Sequence, residues 1–216
     1  SVLWKVGDEK ISASSPVLIG NGETERILVA TRMKFRALMP DTGAEVWSYP
    51  TRKQSSGNLY CASPVNYGDE ILLSGWYGLG LLRLRVTNDQ PSLAWHLDDL
   101  ISSHYASVIL HNGYAYGYHG HAQLDPVLRC VKLATREVIW EEKLGSSGTI
   151  TRVGDDLLIL SDQGELMLVP ASPGGFQLNG QAQVTARTTR TYPAIADGLV
   201  YVKGPRRLVC LDLQGR

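Results

Sequence analysis

Apolar and polar residues alternate along many short stretches of this chain. In "LRCVKL", Leu128, Cys130 and Lys132 face one side of an extended backbone, and the residues between them face the other. No stretch repeats apolar residues at helical spacing over a useful length. The pattern therefore predicts an all-β protein with essentially no helix.

The predicted strands recur in groups. Trp4, Trp47, Trp95 and Trp140 follow one another at intervals of 43, 48 and 45 residues. Each group begins with a short strand containing small residues, then a Gly-containing hairpin turn, then two further strands and a fourth with the Trp. In the fourth group, Phe176 of "GGFQL" is predicted to take the place of the Trp. Four antiparallel strands at this period are typical of a β-propeller.

The repeat predicts a single β-propeller domain of about five four-stranded antiparallel blades. The units cover about residues 13–50, 60–97, 104–144, 148–184 and 190–216. The last unit has no Trp strand, whereas the chain opens with the isolated Trp strand "SVLWKV". We therefore predict that residues 1–7 supply the fourth strand of the last blade. The four Trp residues are predicted to be structural, each wedged against a neighbouring blade.

Charge and hydropathy argue against a nucleic-acid partner and against a transmembrane segment. Lys plus Arg and Asp plus Glu both number 21, so the formal net charge is zero, which argues against a nucleic-acid partner. No apolar stretch approaches the about 20 residues of a transmembrane helix, so no transmembrane segment is predicted.

Several stretches resemble a known repeat family. "PDTGAEVW", "RLVCLDLQG" and "GLVYVKGPRRLVCLD" resemble the PQQ-like, or quinoprotein-type, β-propeller repeat. From "SSHYASVILHNG" onward, the chain looks like the C-terminal half of bacterial PQQ-binding-like propeller proteins. The resemblance covers nearly the whole chain and implies a periplasmic or secreted protein. Relatives of this kind commonly have seven or eight blades, so the alternative to a five-bladed ring is part of a larger one.

The resemblance does not carry a cofactor with it. Quinoprotein alcohol dehydrogenases hold PQQ under an adjacent Cys-Cys disulfide, beside a calcium ion and an Asp base. This chain has no Cys-Cys pair, and the calcium ligands and the Asp have no matching positions. We therefore predict no cofactor. PQQ with calcium belongs only to the alternative in which the protein is a quinoprotein dehydrogenase or part of one.

The loops that enter the first strand of each unit form the natural ligand face of a propeller. Basic residues of these loops are candidates to line a channel mouth: Arg52, Lys53, Arg187 and Arg190. Aromatic residues are candidates to stack on a planar or sugar-like ligand: Tyr60, His104, Tyr105 and Tyr192. In the alternative interpretation, the basic residues are only solvated loop charges, and the aromatic side chains plug the central opening of the propeller.

Two further groups of residues carry candidate chemistry. Trp76 and Tyr77 lie in the Gly-rich turn "SGWYGLG", where packing does not require large aromatics, so an exposed pair there predicts contact with a protein or glycan. His119 and His121 in "GYHGH" would share one face of a strand and are weak candidates for Zn²⁺ or Cu²⁺. They lack a clear third ligand, so no metal is predicted.

The sequence favours binding over catalysis. It contains no GxSxG, HExxH or P-loop motif, and we predict no catalytic residue. The main prediction is a non-catalytic binding or protein-interaction scaffold outside the cytoplasm. The alternatives are a PQQ-dependent quinoprotein oxidoreductase, a carbohydrate-binding propeller, and a scaffold similar to outer-membrane assembly factors.

Overall fold

The structure is almost entirely β, as the alternation predicts. The computed structural model describes residues 1–10, 12–51, 61–187 and 190–213. That part of the chain contains nineteen strands and a single 3-10 turn, Gly22–Thr24. It divides into two compact units, Ser1–Val108 and Ile109–Arg216. No helix among the described residues is long and apolar enough to cross a membrane.

The first unit contains two four-stranded antiparallel sheets whose strands are adjacent in chain order. The strands of sheet 1 are β1 (Val17–Ile19), β2 (Arg26–Ala30), β3 (Lys34–Leu38) and β4 (Glu45–Pro50). The strands of sheet 2 are β5 (Val65–Tyr67), β6 (Glu70–Gly75), β7 (Gly80–Thr87) and β8 (Gln90–Leu97).

The second unit contains three further antiparallel sheets. Sheet 3 consists of β9 (Ile109–His111), β10 (Tyr114–His119), β11 (Val127–Lys132) and β12 (Glu137–Lys143). Sheet 4 consists of β13 (Gly148–Val153), β14 (Asp156–Ser161), β15 (Glu165–Pro170) and β16 (Gly180–Gln183). Sheet 5 has three strands within the described residues, β17 (Ala194–Ala196), β18 (Leu199–Lys203) and β19 (Leu208–Asp212). The recurring sheet confirms the predicted repeat.

Apolar side chains from sheets 1 and 2 form one core in the first unit. Leu28, Phe35 and Trp47 of sheet 1 pack in a single buried cluster with Ile71 and Leu84 of sheet 2. The Phe35 and Trp47 rings meet edge to face, with centroids 5.6 Å apart. At roughly 25 cal/mol per Å² over about 200 Å², burying one Trp contributes several kcal/mol to folding.

Indole N–H groups link a Trp to the turn between the third and fourth strands of a sheet. The Trp4 N–H donates to the carbonyl of Pro40, at 2.8 Å, in the turn between β3 and β4. The Trp140 N–H donates to the carbonyl of Ser172, at 2.9 Å, in the turn between β15 and β16. Each of these two half-buried Trp residues therefore satisfies its only polar group.

Serine side chains link the segments that lead into the first strands. The Ser63 hydroxyl oxygen accepts the backbone N–H of Ser15 at 3.2 Å. The Ser107 hydroxyl oxygen accepts the backbone N–H of Ser63 at 2.8 Å. These bonds explain why small hydroxyl residues recur in "SSP", "ASP" and "YAS".

Two sequence predictions differ from the structure. Residues 1–8 form no strand, so the predicted N-terminal fourth strand is absent, and Trp4 instead lies on the β3–β4 turn. The indole of Trp4 can be held by one hydrogen bond to a turn carbonyl, so the segment around it does not have to pair as a strand. Phe176 lies in the nine-residue turn before β16, not on that strand, and its ring packs against Trp140 at 6.3 Å. Pro173, Gly174 and Gly175 lengthen this turn and delay the strand.

Gly43 tests the indole contact. Its φ is 71°, and a Cβ there would lie 2.5 Å from the Trp4 ring, whereas Gly68 has a φ of 67° and open space around it. We expect Gly68→Ala to cost about 1 kcal/mol for backbone strain alone. Gly43→Ala should cost about 1–3 kcal/mol more, because the ring must move. Urea unfolding of both variants measures the difference, and equal losses would contradict the role given to Trp4.

Glu70 carries a buried charge that makes stability depend on pH. Burial acts to raise the pKa of Glu70, but hydrogen bonds and charge from Arg83 and Arg85 outweigh it and hold that pKa below 4.5. The carboxylate therefore stabilises the fold above its unfolded pKa, and this contribution is lost as the pH falls through the folded pKa. One Glu70 oxygen accepts from Arg83, and the other accepts from Arg85 at 2.9 Å.

Glu70→Gln should lower the free energy of unfolding at pH 7 by about 1–3 kcal/mol, because hydrogen bonds to a charged, buried group are lost. The variant should also lose less stability than the wild type between pH 5 and pH 3. Glu141→Gln is the matched control, since Glu141 pairs with Arg129 on the exposed surface and should matter by less than about 1 kcal/mol. Parallel pH profiles for Glu70→Gln and the wild type would contradict the assignment.

Candidate functional site

Four predicted ligand-binding residues meet in one place in the first unit. Trp76 and Tyr77 lie in the turn between β6 and β7, and His104 and Tyr105 lie in the segment that follows β8. The sequence indicates them as two unrelated candidates, 27 residues apart. Ring contacts join Tyr77, His104 and Tyr105, and a backbone hydrogen bond joins Trp76 to Ser103, next to His104. We call Trp76, Tyr77, His104 and Tyr105 the aromatic cluster.

Buried serines hold the two segments of the aromatic cluster together. The backbone N–H of Trp76 donates to the Ser103 carbonyl at 2.7 Å, and the Ser102 hydroxyl donates to the Gly75 carbonyl at 3.0 Å. The Ser74 hydroxyl donates to the Ile101 carbonyl at 3.1 Å and accepts the Ser103 N–H at 3.1 Å. Backbone groups that leave the sheet are thereby satisfied in the interior. The sequence analysis missed these serines; the signal was the run "ISSHY" beside "LLSG".

The rings of the aromatic cluster meet edge to face. The Tyr77 and His104 centroids are 5.8 Å apart at an interplanar angle of 77°, and the Tyr77 hydroxyl lies 3.4 Å from His104 Nε2. The His104 and Tyr105 centroids are 6.1 Å apart at 66°. Such pairs each contribute about 0.5–1.5 kcal/mol beyond area burial, so the cluster is a shaped surface and not three independent side chains.

Tyr77 has a backbone conformation that does not suit it. Its φ is 60° and that of Gly78 is 81°, in the left-handed region that glycine or asparagine adopts most readily. A tyrosine there costs about 1 kcal/mol or more. Its side chain is nevertheless 40% exposed, while Leu79 of the same turn is fully buried and anchors it. Strained backbone of this kind is common at functional sites, so Tyr77 stays a candidate contact residue.

Six further residues are predicted for the site. Arg187, Arg190 and Tyr192 are exposed in the second unit, between β16 and β17, and Tyr192 is 44% exposed. Arg52, Lys53 and Tyr60 lie outside the described residues. These six residues stay predictions.

His119 and His121 do not lie on the same strand, contrary to the sequence prediction. β10 ends at His119, and His121 lies in the turn beyond it, where its Nδ1 accepts the Gln123 N–H at 3.3 Å. In the part of the chain that the structure describes, no group of three or more His, Cys, Asp or Glu side chains is placed to hold a metal ion. The geometry therefore offers ring stacking and hydrogen bonding at the aromatic cluster, and no described metal centre.

The fold and its repeat define a protein of the PQQ-like β-propeller repeat class. The family model described as "outer membrane protein assembly factor BamB" matches residues 1–141. The chain belongs to this family. No curated protein matches the chain.

Solved structures support the same fold. BamB from Moraxella catarrhalis is 14% identical, with a TM-score of 0.70, and the match covers 97% of this chain and 62% of that one. A computationally designed protein, Ika8, is 9% identical, with a TM-score of 0.58, and the match covers 96% of this chain and 62% of that one. The chain thus spans 62% of the length of either structure. At these identities the likeness concerns the fold alone.

Tyr77→Gly separates a packing role from a contact role. Glycine relieves the strain at φ 60° but removes the ring, so we expect the free energy of unfolding to stay within about 1 kcal/mol of the wild type. Leu79→Ala, in the same turn, should cost about 2–5 kcal/mol because it opens a cavity in the core. Thermal and urea unfolding give both values. A loss for Tyr77→Gly as large as that for Leu79→Ala would make Tyr77 a packing residue.

Proposed function

We propose that the protein is a non-catalytic scaffold of the outer-membrane assembly type, and that it holds a partner protein at the aromatic cluster. The single observation that carries this proposal is Tyr77, an exposed aromatic ring on strained backbone that His104 orients. Tyrosine and tryptophan give large contact areas at low entropic cost, which suits a protein interface. The family supports a periplasmic or secreted location for this scaffold.

The number of propeller blades is the second part of the proposal. Five sheets in a chain that spans 62% of its solved neighbours' length favour a larger ring of seven or eight blades over a closed ring of five. Buried apolar clusters join sheets 1 and 2 in the first unit and sheets 4 and 5 in the second, and additional repeats would extend the stack by contacts of this kind.

Matched tyrosine variants test the partner surface. Tyr67 and Tyr77 are each 40% exposed, but only Tyr77 belongs to the aromatic cluster. We expect Tyr77→Ala to weaken capture of envelope proteins from a bacterial extract at least tenfold, because an aromatic hot spot is lost, whereas Tyr67→Ala should capture the wild-type amount. Quantitative mass spectrometry of the captured proteins measures both. Equal capture by the two variants would contradict the proposed surface.

Two ligand titrations distinguish the scaffold from its alternatives. Saturable one-to-one binding of PQQ that strengthens with Ca²⁺ would replace the scaffold by a quinoprotein. If the protein binds a glycan array and Tyr77→Ala abolishes that binding, the partner at the aromatic cluster is a carbohydrate and not a protein. The scaffold proposal expects neither.

A further inference from the structure

Trp47 differs from Trp4 and Trp140 in the partner of its indole. Among the described residues, no hydrogen bond forms to the indole N–H of Trp47, and this N–H is not one of the buried polar atoms that lack a partner. Trp47 lines a cavity of about 420 Å³ in the first unit.

The length of a single turn explains this cavity. Six residues join β3 to β4 and nine join β15 to β16, and each of these turns offers a carbonyl to an indole. Only two residues, Asn88 and Asp89, join β7 to β8, with φ values of 51° and 57°. Two residues in this conformation close a hairpin tightly and leave no loop to cover Trp47. The space that a longer turn would fill is therefore open.

An ion pair holds the short turn in place beside the cavity. Arg26 Nη2 lies 2.7 Å from one oxygen of Asp89, and Arg26 Nε donates to the other at 3.2 Å. Bidentate pairs of this kind fix geometry as well as adding energy. The turn at Asn88 and Asp89 is thus kept at the rim of the cavity, which stays available.

The lining of the cavity combines an apolar part with hydrogen-bonding groups. Ile19, Ile71 and Val86 lie beside Trp47. Asn66, Asp69 and Asn88 supply amide and carboxylate groups that can bind backbone N–H and C=O groups.

We propose that this cavity binds a glycine-containing β-turn of a partner polypeptide, whose backbone carbonyl accepts the Trp47 N–H. The same chain shows the interaction at Trp4, where the turn that contains Pro40 and Gly43 supplies both the carbonyl and the close approach to the ring. A carbohydrate would instead stack on an open ring face, but Trp47 is nine-tenths buried and its ring packs on Phe35.

The cavity and the aromatic cluster are separate sites, and either can fail without the other. β6 (Glu70–Gly75) separates Asp69, which lines the cavity, from Trp76 in the cluster. Six residues of extended strand span roughly 20 Å. A variant at Tyr77 therefore serves as a control for binding at Trp47.

The probe is a cyclic peptide with the sequence "LMPDTGAEV", which is residues 38–46 of this chain. Isothermal titration into the full chain should show saturable one-to-one binding. A peptide with alanine at the position of Gly43 should bind at least tenfold more weakly, because in the contact that it copies a Cβ at Gly43 would lie 2.5 Å from the Trp4 ring. Trp47→Phe should weaken binding about five- to tenfold, since one neutral hydrogen bond is lost. Tyr77→Ala should leave it unchanged.

A loop graft tests the same cavity without changing the core. Replacing Asn88 and Asp89 by residues 39–44, "MPDTGA", supplies the missing turn from within the chain. The graft should abolish peptide binding and raise Tm. Peptide binding that survives both the graft and Trp47→Phe would overturn the proposal, as would the absence of any binding at millimolar peptide. Oligosaccharide binding that the graft abolishes would assign the cavity to carbohydrate instead.

Discussion

The fold of this protein depends on the indole of a recurring tryptophan. A four-stranded sheet has two faces and cannot bury both by itself, so every sheet needs a neighbour. Trp47 packs in the core between sheets 1 and 2, and turn carbonyls bind the indole N–H groups of Trp4 and Trp140. A tryptophan can thus contribute apolar packing at one position and a bound polar group at another. Gly43 is required because the ring lies directly against its backbone.

This dependence makes the turn between the third and fourth strands the adjustable part of the repeat. A six-residue turn closes on Trp4, and a nine-residue turn closes on Trp140 with the help of Phe176. The two-residue turn at Asn88 and Asp89 does not close on Trp47. Changing the length of one surface turn therefore converts a packing contact into a cavity, while the strands and the core keep their places.

The opposite ends of the same strands carry the aromatic cluster. The buried hydroxyls of Ser74 and Ser102 fasten the segment before His104 to the end of β6, so the loop is held without strand pairing. On this rigid base, Tyr77 keeps an exposed ring on a left-handed backbone. Loops on a stable scaffold commonly carry function, because their side chains can change without disturbing the core.

The sequence by itself determined the strands, the repeat and the family, because alternation, turn residues and Trp spacing are local signals that each unit repeats. Tertiary structure decided what local signals do not contain. Trp4 docks without forming a strand, His104 meets Tyr77 across 27 residues, and the Trp47 N–H lacks the carbonyl that its counterparts have. Each of these outcomes depends on the length of a distant turn or the path of another segment. Contacts of that kind follow only from the packed chain.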